Sequence, residues 1–213
     1  MPAADATFPL HTMADAPSPT SQALTPDERD VELMRGIATG DDRAFRALVE
    51  RHQHAVVGTA AKMLGNPAEA EDIAQQVFLR LWRHAKNYRP DAKFTTYLFT
   101  ITRNLVFNES RRKSRRKESS MDEREENPHH QTEAAPTDRP DSQLLQSELR
   151  AAVDNAIASL PESQRMAVIL RRYDGMPYEE IAKVLDLSVP AVKSLLFRAR
   201  TSLRELLQAY LDE

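Results

Sequence analysis

Apolar positions along this chain fall at helical spacing, in blocks separated by short breaks that contain glycine, proline or aspartate. Thr25-Pro26-Asp27-Glu28 has the form of a capping box and opens a predicted helix over about 26–38. Gly40-Asp41-Asp42 breaks it and starts a second, over about 42–64, with Phe45, Leu48, Val49, Val56 and Val57 inward. Gly65-Asn66-Pro67 is the cleanest boundary. Gly65 ends one helix, Asn66 caps the next, Pro67 takes its first position, and Glu69 completes the box. The third helix reaches about Ala85, with Ile73, Val77 and Leu81 in its stripe and Phe78 and Trp82 nearby. A loop, Asn87–Lys93, leads to a fourth helix over about 95–116. Phe99 and Phe107 are expected to turn inward there, with Tyr97 as the exposed ring. After a stretch without periodicity, one helix ends near Ser159. Another runs from Pro161 to about Asp174-Gly175, with Ser159 and Glu162 at capping-box spacing.

The last block, Pro177 to Leu206, reads as a helix, a tight turn and a second helix. Ile181, Ala182 and Leu185 form the first stripe, and the small Ala182 suits a close crossing. Asp186 and Leu187 make the turn; Asp186 stands where glycine is usual and tolerates the left-handed conformation better than most residues. Ser188 is a natural N-cap and Pro190 falls in the first turn. Val192, Leu196, Ala199 and Leu203 line one face, while Lys193, Arg198, Arg200 and Arg204 carry only positive charge. A helix-turn-helix with a basic second helix suits the major groove of DNA. The competing structural reading is an amphipathic pair with a solvated basic face.

Composition narrows the classes. The 213 residues fit one or two domains, and 41% apolar with 6% aromatic residues supports small helical cores. Thirteen prolines fall mostly within Met1–Pro26 and Asn127–Pro140. The absence of cysteine excludes disulfides, thiol catalysis and cysteine-bound metal in this chain. No apolar run approaches a membrane span, and the first residues lack a secretory pattern, so a cytoplasmic protein without membrane insertion is expected.

The net charge of −3 hides a sorted distribution. Between Phe94 and Lys117 seven bases face one acid, Glu109. Between Glu118 and Gln143 eight acids face Arg124 and Arg139. The chain therefore divides into an extension (1–25), a helical unit (26–117), an acidic flexible linker (118–143) and a second helical unit (144–213). The expected fold is all-α, with two small helical domains.

The fourth helix combines aromatics with a dense basic end, the chemistry that stacks bases and tracks phosphates of single strands. Here the chain resembles the extracytoplasmic-function sigma factors, the small two-domain initiation factors of bacterial RNA polymerase within the sigma-70 family. AEDIAQQVFLRLWRH, Ala70–His84, is similar to region 2.2, which docks on the β′ clamp coiled coil. FTTYLFTITRNLVFNESRR is similar to regions 2.3 and 2.4, which melt and read the minus-ten element. LPESQRMAVILRRYDGMPYEEIAKVLDLSVPAVKSLLFRAR is similar to region 4, which reads the minus-thirty-five element. The resemblance implies core polymerase (β′ clamp and β flap), promoter DNA and an anti-sigma factor as partners. It implies no cofactor, small-molecule substrate or catalytic residue. The departures are Gln76 for a usual Glu, Tyr97 for Trp, Leu195 for Arg and Ala191 for Thr.

The resemblance assigns Asp72, Gln76, Arg80 and Arg83, on successive turns of one helix, to polymerase docking. It assigns Tyr97, Arg103, Asn104, Arg111, Arg112, Lys113, Arg115 and Arg116 to the minus-ten region. One extruded base is expected near the loop before Phe94. Lys193, Ser194, Phe197 and Arg198 are expected at the upstream element, with Arg171 and Arg172 as phosphate contacts. The linker resembles the family segment that threads the polymerase cleft. A stand-alone helix-turn-helix regulator is the alternative. An enzyme is a third reading, and the six histidines show no metal-ligand spacing with carboxylates on one helix face.

Overall fold

The computed structural model describes residues 24–120 and 141–210. The acidic tether and the N-terminal extension lie almost wholly outside the described residues. Among those described there are eight α-helices, two short 3₁₀ turns and no strand. The first unit holds α1 (Pro26–Ala38), α2 (Asp42–Leu64), α3 (Pro67–His84) and α4 (Phe94–Ser120). The second holds α5 (Asp141–Ser159), α6 (Glu162–Arg172), α7 (Tyr178–Leu185) and α8 (Val189–Leu206).

Local chemistry sets most boundaries. Thr25 and Glu28 form the reciprocal capping box: the hydroxyl accepts from Glu28 N at 3.3 Å and Thr25 N donates to Glu28 Oε2 at 2.8 Å. Asn66 Oδ1 accepts from Ala68 N at 3.0 Å and Glu69 N at 3.4 Å, and Gly65 ends α2 at φ 69°. Such a side-chain cap contributes about 1 kcal/mol. Glu69 does not complete a box, because its carboxylate pairs with Lys113 of α4. Nor does Ser159 cap α6; its hydroxyl donates back to Ala156 O at 2.8 Å, and Pro161 starts the helix without a side-chain cap.

In the helix-turn-helix, Asp186 adopts φ 57°, ψ 51°, and Leu187 N donates to Ala182 O at 2.9 Å. This is the left-handed helix end that glycine usually supplies. Ser188 Oγ then accepts from Ala191 N at 3.4 Å.

Met34, Leu48, Val56, Val77, Leu81 and Leu98 are fully buried in the first unit; Met166, Ile169, Leu170 and Ile181 are fully buried in the second. Burying each such side chain contributes roughly 1.5–3 kcal/mol relative to exposure. The two cores are continuous. Helix α7 lies on α4, and α5 and α6 lie on α2. Along this seam Arg103 Nε donates to Val184 O at 2.9 Å, Arg165 to Met63 O at 2.8 Å, and Thr59 Oγ1 to Asp174 Oδ2 at 3.0 Å. Lys93 pairs with Glu180 at 2.5 Å, and Lys62 reaches Asp154 at 3.6 Å. The sequence gives no sign of this packing between the units.

Candidate polymerase-docking and promoter-reading surfaces

Helix α3 buries Ile73, Val77, Phe78 and Leu81 and turns its opposite side outward. Asp72, Gln76, Arg80 and Arg83 are all exposed on that side. Asp72 and Gln76 stand at an open groove of about 880 Å³ between α2 and α3, floored in part by Phe45, Val49, Val57 and Phe78. Arg80 and Arg83 continue along the helix beyond it. The groove also includes Leu79, a leucine 49% exposed, which the polar set did not anticipate. Its signal is a large apolar residue just off the buried stripe. An apolar floor with an acidic and amide rim suits an amphipathic helix of positive or neutral charge.

Helix α4 has 27 residues and is about 40 Å long at roughly 1.5 Å per residue. Its start is built from aromatics. Phe94 is fully buried, His52 lies against it at 5.1 Å between ring centroids, and Tyr88 meets both Phe94 (6.2 Å) and Tyr97 (5.1 Å). Tyr97 is therefore half-buried, not the exposed ring expected; Tyr88 covers it, and burial raises its pKa. Burial, reinforced by Asp27 and Asp30, pushes the Tyr88 phenol to about 12, so it is neutral at any physiological pH. Phe99 is buried as expected, and Phe107 is half-buried with the Arg103 guanidinium 5.7 Å over its ring.

The basic residues of α4 differ in their freedom. Arg103 is half-buried and held by the Val184 carbonyl, so in this arrangement it reaches toward the second unit. Asn104 is exposed. Arg112 forks onto Glu109 at 3.2 and 2.7 Å, and that carboxylate raises its pKa further. Lys113 pairs with Glu69, and Arg111, Arg115 and Arg116 all have exposed side chains on the last turns. They form a band of positive charge suited to phosphates.

Helix α8 buries Val192 and Ala199 and half-buries Leu195, Leu196 and Leu203. Lys193, Ser194, Phe197 and Arg198 are exposed, and Phe197 shows 69% of its surface. A phenyl group this open beside two cations suits contact with thymine methyl groups in the major groove. Arg171 and Arg172 are both exposed, but Arg171 also makes contacts within its own unit: it donates to Met176 O at 3.0 Å and lies 5.0 Å over the Tyr178 ring. Arg171 thus braces the α6–α7 corner, a role its terminal position does not reveal.

Comparison with known proteins agrees with this layout. Residues 48–116 match the model for sigma-70 region 2, and residues 150–203 match that for sigma-70 region 4. The chain is 35% identical over 188 residues to the RNA polymerase sigma-H factor of Pseudomonas aeruginosa, covering 87% of this chain and 97% of that protein. It is 35% identical over 176 residues to the ECF RNA polymerase sigma-E factor of Escherichia coli, covering 82% and 92%. Among solved structures it is similar to CnrH in complex with the cytosolic domain of CnrY, with a TM-score of 0.62 and 27% identity over 85% of this chain and 98% of that one. It is also similar to the sigma factor RpoE of Bartonella quintana in complex with the anti-sigma factor NepR, with a TM-score of 0.59 and 25% identity over 77% and 96%. With both region models in order and relatives matched over nearly their full length, the chain belongs to the sigma-70 family of RNA polymerase sigma factors, in its extracytoplasmic-function group.

Proposed function

We propose that this protein is an alternative sigma factor that directs core RNA polymerase to a set of promoters, melts their minus-ten element and acts in a stress or envelope response. The reading rests on one combination: region 2 and region 4 lie in order on one chain, each with a basic helix that presents charge outward. Core polymerase takes the α2–α3 groove through its β′ clamp, with Asp72 and Gln76 at the rim; the β flap takes the second unit. Helix α8 reads the upstream element through Lys193, Ser194, Phe197 and Arg198. Helix α4 lies along the minus-ten DNA, where Arg111, Arg112, Lys113, Arg115 and Arg116 meet phosphates and Tyr97 and Asn104 meet bases. One base leaves the stack near the loop before Phe94, its unstacking offset by new stacking and hydrogen bonds.

The protein works in the cytoplasm, does no chemistry of its own and needs no cofactor. Among the described residues no helix is long and apolar enough to cross a membrane. An anti-sigma factor holds it inactive, in keeping with the solved relatives, which are complexes with the cytosolic domain of CnrY and with NepR.

Run-off transcription with purified core polymerase on a promoter library tests the reading. Promoter-specific transcripts that require the protein are expected. Binding to promoters without binding to core polymerase would instead identify a stand-alone regulator. Asp72→Arg is expected to weaken core binding by about tenfold or more, because it reverses charge at the groove rim while leaving an outward position. Unchanged affinity in a fluorescence titration overturns the docking assignment.

A further inference from the structure

Helix α1 contributes no residue to any of the three surfaces, yet its polar side chains converge on the start of α4. Asp30 is 2% exposed. Its carboxylate accepts from Arg51 Nε at 2.8 Å and from His52 Nε2 at 3.0 Å. Burial pushes this carboxyl up, but the bonds and charges of His52 and Arg51 outweigh burial and leave it below its ordinary range. A carboxylate is kept this deep only where its partners compensate fully. His52 then lies against Phe94, the first residue of α4. Arg51 also reaches Pro26 O at 3.5 Å, beside Asp27.

Asp27 completes the convergence. Its Oδ1 accepts from Phe94 N at 2.8 Å, across 67 residues. The residue preceding α4 is Lys93, whose carbonyl accepts from Thr96 N and Tyr97 N but whose side chain offers no acceptor to the free amides of the first turn. It turns instead to Glu180. The cap that α4 lacks in its own sequence is therefore supplied by α1, with a negative charge at the positive end of the helix dipole.

These contacts fix both ends of one loop. Tyr88, packed on Phe94 and Tyr97, anchors the entry; Phe94, capped by Asp27 and backed by His52, anchors the exit. Arg89, Pro90 and Asp91 stay exposed between them. We propose that Asp27, with the Asp30–His52 pair behind Phe94, forms a set of positioning residues that hold the Tyr88–Phe94 loop in the shape that selects the extruded minus-ten base. The inference rests on the minus-ten reading given above. It assigns to α1 a share in base selectivity without any contact to DNA, since a loop loosened at its exit admits alternative bases at similar energy.

The test uses holoenzyme and forked promoter probes whose minus-ten strand is already single, carrying either the preferred base or each of the other three at the captured position. Asp27→Ala is expected to lower discrimination about five- to tenfold and to speed hydrogen exchange at residues 94–97. Asp27→Asn keeps the capping oxygen and is expected to stay within about twofold of wild type. Core affinity and melting temperature serve as controls for a merely structural loss. If Asp27→Ala does not fold, His52→Phe is read in the same way, because it keeps a ring on Phe94 and removes the bond to Asp30. Discrimination retained in these variants, or lost equally in Asp27→Asn, overturns the proposal alone. Wild-type holoenzyme that does not discriminate overturns the minus-ten reading and the proposal with it.

Discussion

Helices α4 and α8 are both basic, but they meet the surroundings differently. The charged face of α8 is open, and none of the bonds along the seam involves it. The first half of α4 is covered by α7: Arg103 is bonded to the Val184 carbonyl, and Lys93 to Glu180. Elements ten and thirty-five positions before a start site are about 25 base pairs apart, on the order of 85 Å at about 3.4 Å per pair. Units in contact cannot occupy both. On the proposed reading, α8 is open to the upstream element in this arrangement, whereas the start of α4 is freed for the minus-ten element when the units separate.

The strongest way to break this contrast is to force the seam apart. Thr59 is buried against Asp174, and Thr59→Asp would set two carboxylates together at a cost of several kcal/mol to closure. The distance between fluorophores on the two units should lengthen, binding of a single-stranded minus-ten probe should rise, and binding of an isolated upstream duplex should stay the same. An unchanged distance would show that the seam does not depend on this contact.

Arg198→Ala sharpens the contrast from the other side. It is expected to cost about 1–3 kcal/mol on the preferred upstream element and little on random DNA, as for a bidentate base contact. Equal losses on every sequence would reduce α8 to a basic surface.

A smaller effect depends on pH. Burial, partly offset by the Thr59 hydroxyl, raises the Asp174 carboxyl to about 6. Released into water it returns to about 3.9. The closed form thus binds the proton more tightly than the open form, and acid favours closure. Closure is unpenalised below about pH 4, weakens between about 4 and 6, and above that carries the full penalty, between about tenfold and a hundredfold given partial contact with water. Titrating the inter-unit distance over this range checks the sign, and Asp174→Asn should abolish the dependence with the closed form favoured throughout.

Smallest are Arg112→Ala and Arg115→Ala. As phosphate contacts they should weaken all promoters alike and each reduce the salt slope by about one unit. Promoter-dependent losses would make them base readers.

Elements fixed by neighbours in sequence were legible. The Thr25–Glu28 box, the Gly65-Asn66-Pro67 boundary and the left-handed Asp186 each depend on a few adjacent residues and appear as read. The errors came where a partner distant in sequence claimed a side chain. Glu69 left its box for Lys113, and Tyr88 covered Tyr97. The seam was invisible for the same reason. Thr59 reads as one more position in the α2 stripe and Val184 as core of the helix-turn-helix; only the fold brings Asp174 and Arg103 to them. The candidate site residues of α3 and α8 lie outward where periodicity put them, but Leu79 and the groove beside it depend on how α2 and α3 cross.

The bond from Arg103 to the Val184 carbonyl has a consequence for measured affinities. A protein whose competent form is a fraction of the population shows an apparent dissociation constant larger by the inverse of that fraction. If the seam were worth about 3 kcal/mol, about one molecule in a hundred would be open, and the free protein would bind promoter about a hundredfold more weakly than its contacts allow. A polymerase that holds the two units apart removes this factor without touching DNA, and by linkage promoter DNA tightens polymerase by the same factor.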